Sequence, residues 1–196
     1  MINDGPETAG EQENEPVGYA VGRYARFNRR PIGAMLWSEM MMSAERLTVL
    51  LAEDDQKDVM MINLALERDG IPAEFHLVND GEQVVEYLAG TGLFRNRSRY
   101  PFPDLVIVDL KMSRMGGMDV VKWLRNDLAC SRMPVVILSG SGQMEDVREA
   151  YQAGANSYFQ KPSSVDQLQT LLRAIVRYWL LTEKSVEVKH CGHLSA

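Results

Sequence analysis

Between residues 47 and 181 the sequence alternates five times between a short strand-like run and a longer stretch with helical spacing. The strand-like runs fall at 47–52, 73–78, 104–109, 134–138 and 157–160, and the helical stretches at 54–70, 80–90, 118–128, 144–154 and 163–181. Short apolar runs are typical of strands, whereas apolar residues every three to four positions are typical of helices. Strict alternation predicts an α/β fold, in which helices cover both faces of a parallel sheet. A doubly wound sheet of five strands commonly has the order 2-1-3-4-5, which we expect here.

The segments that flank this regular region have a different composition. Residues 1–16 contain five acidic residues and almost nothing to bury, and residues 17–33 contain four arginines among aromatic residues. Such segments cannot bury enough apolar surface to offset the entropy lost on ordering. The sequence therefore predicts a disordered or poorly ordered leader over 1–45, one domain over 46–182 and a flexible tail over 183–196.

The composition favours a globular protein of the cytoplasm. The net charge of −6 disfavours general binding to nucleic acid. The two cysteines, Cys130 and Cys191, lack the close spacing of metal ligands, which fits a reducing compartment. The best membrane candidate, residues 32–37, is far shorter than the ~20 apolar residues that a spanning helix needs. We therefore expect no membrane segment.

Polar residues stand where the predicted strands end. These positions hold Glu53, Asp54 and Asp55 after strand 1, Asp109 at the end of strand 3, Ser139 after strand 4 and Lys161 after strand 5. In doubly wound sheets, ligands bind beyond the carboxyl ends of the strands, at the switch point between strands 1 and 3. Since an ionised carboxylate is costly to bury, Asp109 at the end of a core strand indicates that the strand delivers it to a polar pocket.

These residue types fit the binding and transfer of a phosphoryl group. Clustered carboxylates attract a hard cation such as Mg²⁺, which takes oxygen ligands and keeps several waters. Lys161 would offset the charge of a bound phosphoryl group, and the Ser139 hydroxyl could donate a hydrogen bond to it. Asp109 can itself be the nucleophile, because carboxylates form acyl phosphates.

Each of these residues also has an ordinary structural explanation. An aspartate after a strand is usually a turn or capping residue, and Asp55, before the first helix, reads as an N-cap. Lys161 precedes a proline and could be a solvated loop residue, and Ser139 could serve the SGSG turn. Their joint placement at the strand ends of one alternating fold favours a site.

Four motifs make the chain resemble the receiver domain of two-component response regulators. They are LLAEDD, PDLVIVDLKM, PVVILSGSG and GANSYFQKP, within residues 47–182. The resemblance implies a flavodoxin-like receiver fold and a phosphoprotein that relays a signal, not an enzyme acting on an outside substrate. The long segment before strand 3 and the WLLT ending resemble single-domain regulators that are paired with bacterial phytochrome-type histidine kinases.

The resemblance assigns the metal and the phosphoryl group to the same rim of the sheet. Glu53 and Asp54 match the acidic pair of the family, and Asp54 would be the more direct Mg²⁺ ligand. Asp109 matches the phosphoacceptor, which also binds the metal. Lys111 matches the position whose backbone carbonyl is a further metal ligand.

The resemblance also implies how a signal leaves the site. Ser139 and Lys161 match the switch hydroxyl and the lysine of the family. Tyr158 matches the aromatic residue that swings inward on activation. We expect phosphate to arrive from a sensor histidine kinase and the output to be contact with a downstream protein target, a phosphotransfer protein or a second copy in a homodimer.

Two departures from the family pattern fall in the loop after Asp109. Family members often carry proline where Ser113 stands and aspartate where Gly116 stands. Serine and glycine restrict the backbone less than proline does. We therefore expect a looser loop here.

Three other functions are alternatives. An aspartate-nucleophile phosphatase-like hydrolase typically has a second aspartate two residues on, where this chain has Lys111. A nucleotide-binding protein would need a loop such as GxxxxGK[ST], which the sequence lacks. DNA binding through the arginine-rich leader would give an affinity that falls steeply with salt.

A natural start at one of the methionines 40–42 is another interpretation of that leader.

The last predicted helix carries a wide apolar stripe. Its apolar residues are at positions 165, 168, 171, 172, 175, 176, 179 and 180. This width exceeds what one buried face needs, so we expect part of the stripe to meet a partner on the face made by helix 4, strand 5 and helix 5. In the tail, His190, Cys191 and His193 could chelate a metal, but such residues in a frayed tail are more often incidental.

Overall fold

The computed structural model describes residues 46–68 and 70–182, and there the predicted alternation of strands and helices is confirmed. The strands are β1 (Leu47–Ala52), β2 (Ala73–Val78), β3 (Leu105–Val108), β4 (Val135–Ser139) and β5 (Ser157–Gln160). The helices are α1 (Gln56–Leu66), α2 (Gly81–Ala89), α3 (Gly117–Asn126), α4 (Met144–Ala153) and α5 (Val165–Leu181). The predicted leader, tail and His190–Cys191–His193 group lie outside the described residues.

The five strands form one parallel sheet in the order β2-β1-β3-β4-β5, as predicted. β1 pairs with both β2 and β3, for example Leu51 with Leu77 on one side and with Ile107 on the other. Strands β3 and β4 are buried at every position, whereas the edge strand β2 is buried only at its two ends. The continuous apolar runs therefore mark the central strands, which helices cover on both faces.

Successive side chains along a strand pack into two separate hydrophobic cores, one on each face of the sheet. Leu50 and Ala52 of β1 join the core under α2, α3 and α4, whereas Val49 and Leu51 join the core under α1 and α5. The period of two along a strand sends neighbouring residues to opposite faces. The sheet is thus packed against helices on both of its faces.

Helix α1 begins where the sequence predicted but ends earlier. Asp55 is its N-cap and accepts hydrogen bonds from the backbone N–H groups of Lys57 (2.8 Å) and Asp58 (3.1 Å). The helix ends at Leu66 and not near residue 70. Pro72 explains part of this difference, because the residue before a proline is disfavoured in the helical region.

The segment between α2 and β3 was predicted as a polar loop and is more ordered than that. Gly92–Phe94 form a 3₁₀ turn, and the Phe94 ring packs 5.0 Å from the buried Tyr87 ring. The Arg97 guanidinium donates hydrogen bonds to the carbonyl oxygens of Tyr87 (2.8 Å) and Leu88 (2.7 Å) at the end of α2. One arginine and the aromatic residues therefore anchor the segment to the domain.

The wide apolar stripe of α5 packs against the domain itself. Its members are either buried or partly buried against the core: Val165, Leu168, Leu171, Leu172, Ile175, Val176, Trp179 and Leu180. Val165, Leu171, Trp179 and Leu180 are only partly buried, so the expectation that part of the stripe meets a partner stays a prediction. The large exposed apolar side chains of α5, Tyr178 and Leu181, lie outside the stripe.

None of the helices within residues 46–68 and 70–182 is long and apolar enough to cross a membrane.

Candidate functional site

The carboxyl ends of β1, β3, β4 and β5 open into one cleft of ≈ 590 Å³. Six residues that the sequence singled out line it, and they are Glu53, Asp55, Asp109, Lys111, Ser139 and Lys161. Parallel strands end at the same edge of a sheet, so residues far apart in sequence meet there. The structure brings the predicted acids, hydroxyl and ammonium together.

Lys161 is the centre of the site. Its ammonium nitrogen lies 2.5 Å from Glu53 Oε2, 2.6 Å from Asp58 Oδ2 and 3.0 Å from Asp109 Oδ1. Burial by itself would lower the pKa of Lys161, but its hydrogen bonds to Asp58 and Glu53 and the charge of Asp109 raise that pKa above the ordinary value. Lys161 is therefore a permanent cation facing Asp109.

The Asp109 side chain is buried at the end of β3 and has both of its oxygens engaged. The side chain is only 7 % exposed, and Oδ1 faces Lys161. Oδ2 accepts a hydrogen bond of 2.8 Å from the backbone N–H of Lys111. These contacts offset the cost of burying the carboxylate and hold it toward the cleft.

Glu53 is a buried acid whose environment changes its proton affinity. Desolvation raises the pKa of Glu53 to about 6, although Lys161 acts in the opposite direction. Its Oε1 accepts a hydrogen bond of 3.2 Å from the backbone N–H of Asp55. The carboxyl is thus held in place from two sides.

The two aspartates after Glu53 have different tasks. Asp55 caps α1, and the backbone N–H groups of Asp58 and Lys57 lower its pKa. Asp54 turns toward the loop after Asp109, where its Oδ2 accepts a hydrogen bond of 2.7 Å from the backbone N–H of Ser113. Asp54 thereby joins β1 to the loop that follows the acceptor strand.

That loop is anchored to the start of α2 by several contacts, and the looser loop that the sequence predicted stays a prediction. Arg114, at φ 60°, lies 2.5 Å from the buried carboxylate Asp80 and 3.3 Å from Glu82, both near the start of α2. The Gly81 N–H also donates a hydrogen bond of 3.1 Å to the Met115 carbonyl. These contacts join the loop after Asp109 to the start of α2 on the C-terminal side of Ser113.

Ser139 and Tyr158 are neighbours of the loop after β4. Ser139 is buried, and its hydroxyl oxygen accepts a hydrogen bond of 3.4 Å from the backbone N–H of Ser141. The Tyr158 hydroxyl donates a hydrogen bond of 2.8 Å to the Ser141 carbonyl, and its ring packs partly buried against the core. Tyr158 is thus tied to the loop after β4 in this structure, and its inward swing on activation stays a prediction.

Asp58 is the site residue that the sequence reasoning missed. It lies in the first turn of α1, where an acidic residue is ordinarily explained by the helix dipole. Its position three residues after the N-cap Asp55 was the available signal, because the first turn of α1 borders the same sheet edge as Lys161.

The acidic residues offer the oxygen ligands that a divalent cation takes, but the described side chains alone do not form a complete coordination shell. No group of three or more His, Cys, Asp and Glu side chains converges as around a metal ion in the described part of the chain. Mg²⁺, however, is usually held by one or two carboxylates and several waters. The carboxylates of Asp54 and Asp109 and the backbone carbonyl of Lys111 are oxygen donors of the kind that this ion takes.

The fold and the site define a class: a parallel α/β domain with an acidic pair, an aspartate and a lysine at the carboxyl edge of its sheet. Residues 49–173 match the family model described as "Response regulator receiver domain". The chain belongs to the response regulator receiver domain family, the phosphoacceptor domains of two-component signalling, which confirms the resemblance.

The similar proteins are regulatory proteins, two of which the chain matches over most of their length. The chain is 32 % identical over 132 residues to "Probable methanogenesis regulatory protein FilR2" of Methanothrix harundinacea, covering 67 % of this chain and 83 % of that protein. It is 28 % identical over 134 residues to "Response regulator Rcp1" of Synechocystis, covering 68 % and 89 %.

Solved structures agree with this assignment. A response regulator in red light signalling of R. palustris superposes with a TM-score of 0.65 at 34 % identity, covering 70 % of this chain and 96 % of that chain. The phosphorylated cyanobacterial phytochrome response regulator RcpA superposes with a TM-score of 0.62 at 30 % identity, covering 71 % and 97 %. One of the matching Rcp1 structures is a Mn²⁺-bound form, with a TM-score of 0.60 at 27 % identity, covering 70 % and 96 %.

Proposed function

We propose that Asp109 accepts a phosphoryl group from a sensor histidine kinase and that the protein signals through the resulting change of its surface. The observation that carries the proposal is the buried Asp109 carboxylate lying 3.0 Å from Lys161 in an open cleft. A carboxylate in this setting can attack phosphorus, and a fixed cation beside it offsets the charge of the incoming group.

The transfer is a displacement at the phosphorus atom. A carboxylate oxygen of Asp109 forms a bond to the phosphorus of a phosphohistidine, the phosphorus–nitrogen bond breaks, and the imidazole leaves with the electron pair. The product is an acyl phosphate on Asp109. Lys161 orients and neutralises the phosphoryl oxygens, and Ser139 at the end of β4 is the hydroxyl that would bond to one of them.

Mg²⁺ is the proposed cofactor. Asp54, Asp109 and the backbone carbonyl of Lys111 would hold it, with Glu53 as the second member of the acidic pair. When bound, the cation would offset negative charge on the phosphoryl group during transfer. The Mn²⁺-bound form of the similar regulator Rcp1 supports a divalent cation at this site.

The partner and the compartment follow from the same proposal. The similarity to phytochrome response regulators supports a phytochrome-type kinase as the donor, and a kinase that transfers phosphate would place this protein in the cytoplasm. We propose residues 46–182 as the functional unit, with a protein contact as its output. An enzyme acting on outside substrates is disfavoured, because Lys111 stands where a phosphatase of the rival class has its second acid.

Phosphorylation by a small phosphodonor tests the proposal. With Mg²⁺ present, the full chain should be labelled once, and the label should be stable in acid and labile in base, as expected of an acyl phosphate. Asp109→Asn should abolish labelling, whereas Asp119→Asn, an exposed acid in the first turn of α3, should not. Equal labelling of the Asp109→Asn variant would refute the assignment.

A further inference from the structure

The ammonium group of Lys161 is fully occupied before any phosphoryl group arrives. Its three contacts are Glu53 at 2.5 Å, Asp58 at 2.6 Å and Asp109 at 3.0 Å. A lysine has three hydrogen-bond donors and no acceptor. A phosphoryl group on Asp109 takes over the donor that now faces Asp109, and it can gain a further hydrogen bond from Lys161 only if Glu53 or Asp58 gives up its own.

The burial of the two remaining carboxylates decides which of them gives way. The side chain of Glu53 is 2 % exposed, whereas that of Asp58 is 35 % exposed. A buried carboxylate that loses its cation is left unpaired at a high energetic cost. The Asp58 carboxylate can bind water in place of the lysine. Its hydrogen bond to Lys161 is therefore the one that costs the least free energy to break.

Asp58 also holds Lys161 firmly in this structure. Its backbone N–H donates to the Asp55 side chain, which fixes the first turn of α1. The ammonium nitrogen lies nearer to Asp58 than to Asp109, at 2.6 Å against 3.0 Å. Among the contacts that raise the pKa of Lys161, the hydrogen bond to Asp58 has the largest effect.

We propose that Asp58 is a positioning residue that competes with the phosphoryl group for Lys161 and so limits how readily Asp109 is phosphorylated. On phosphorylation, Lys161 exchanges its hydrogen bond to Asp58 for one to a phosphoryl oxygen, and the Asp58 carboxylate turns to water. The inference rests on the proposed role of Asp109 as phosphoacceptor.

The test uses the full chain, Mg²⁺ and fluoroberyllate, a non-covalent mimic of the phosphoryl group. Asp58→Asn keeps the shape of the side chain but removes its charge, so Lys161 is released more easily. We expect this variant to bind the mimic about fivefold more tightly, because that factor corresponds to the free energy of one partly exposed ion pair. The initial rate of labelling by a small phosphodonor should rise by a similar factor.

Two companion variants separate competition from structural damage. Asp58→Glu keeps the charge and should stay close to wild type, whereas a distorted site would bind the mimic more weakly. Asp119→Asn makes the same chemical change in the first turn of α3 and should have no effect. Should Asp58→Asn fail to fold by circular dichroism, Asp58→Ser, which also lacks the charge, replaces it with the same expected gain.

Three results would overturn the inference. One is a folded, uncharged variant that binds the mimic no more tightly than wild type. Another is an Asp58→Glu variant that shows the same gain. The third is a loss of Mg²⁺ affinity in Asp58→Asn as large as that in Asp54→Ala, which would make Asp58 a metal residue. If wild type is not labelled at all, the proposed function fails instead, so the two failures are distinguishable.

Discussion

Adjacent aspartates after β1 bind different backbone groups, which leads to the first residue-scale prediction. Asp54→Ala should weaken Mg²⁺ binding far more than Asp55→Ala, because Asp54 is the proposed ligand and Asp55 caps α1. Asp55→Ala should instead lower the free energy of unfolding by about 1 kcal/mol, the usual worth of an N-cap. Titration of each variant with Mg²⁺, followed by urea unfolding, measures both effects. Equal losses of metal affinity would mean that the ligand register is shifted.

The pKa of Glu53 gives a second prediction at this scale. The folded protein raises that pKa from 4.5 to about 6, so the folded state binds a proton more tightly than the unfolded state between these values. The free energy of unfolding should therefore fall as pH rises from about 4.5 to about 6, by about 2 kcal/mol from this group. Urea unfolding without Mg²⁺ measures the slope, and Glu53→Gln should remove that part of it. An unchanged slope in the variant would contradict the assignment.

Most of the site was predictable from residue types, and Asp58 shows where that reasoning stops. Asp109 and Lys161 could be placed together because both directly follow strands of one parallel sheet. Asp58 lies on a helix, where the direction of a side chain depends on how the helix packs, and the sequence does not specify this. Likewise, the pairing of Arg114 with Asp80 joins two loops whose contact exists only in the folded chain.

At the scale of elements, glycine explains how α3 can begin beside the acceptor strand. A Cβ atom at Gly117 would lie 2.2 Å from the Asp109 carbonyl oxygen and 3.2 Å from the Leu110 Cα atom. The contacted atoms are backbone and cannot move aside as a side chain could. The start of α3 therefore packs directly on the chain that leaves β3, and it helps to fix Asp109.

Substituting this glycine should damage both stability and the site. Gly117→Ala should lower the free energy of unfolding by about 1–3 kcal/mol, the usual cost of overpacking, and should slow labelling of Asp109. Gly140→Ala is the matched control for stability, because a Cβ there would have no atom within 4 Å. That variant should stay within about 0.5 kcal/mol of wild type. Thermal and urea unfolding compare the two, and equal stability would show that the backbone at Gly117 can relax.

The elements themselves were largely predictable, and their ends were less so. The apolar runs of β1, β3 and β4 are unambiguous because these strands are buried on both faces. The early end of α1 and the anchored 3₁₀ turn before β3 depend on tertiary contacts, such as those of Arg97 with the end of α2. Local pattern cannot report such contacts.

At the scale of the whole molecule, the exposed flank of α5 decides how a signal could leave the domain. Asp166 and Gln169 of α5 bond to Arg68 at the end of α1, so this side of the helix faces α1. Tyr178 lies on the side of the helix away from Asp166 and Gln169 and is 60 % exposed. The edge strand β5, which precedes α5 in the chain, carries Tyr158 and leads to Lys161.

Phosphorylation should therefore change self-association or partner binding through the face made by α4, β5 and α5. A phosphoryl group on Asp109 would draw Ser139 and Lys161 toward it, and Tyr158 is bonded to the loop that begins after Ser139. Both movements reach β5, so they alter one side of the molecule. A two-fold dimer is the commonest closed assembly, and the shift can only be as large as the partner's preference for the phosphorylated state.

Light scattering with and without fluoroberyllate tests this output face. The mimic should increase the mass of wild type toward a dimer, and Tyr178→Ala should weaken that association about tenfold, as expected for an aromatic residue at the centre of an interface. Tyr178 is the better probe than Trp179, because Trp179 packs against the core and its removal would disturb the fold. Leu93→Ala, an exposed apolar residue before β3, is the control and should associate as wild type does. If the mimic leaves the mass of every variant unchanged and a cognate kinase binds both states equally, the face is not the output surface.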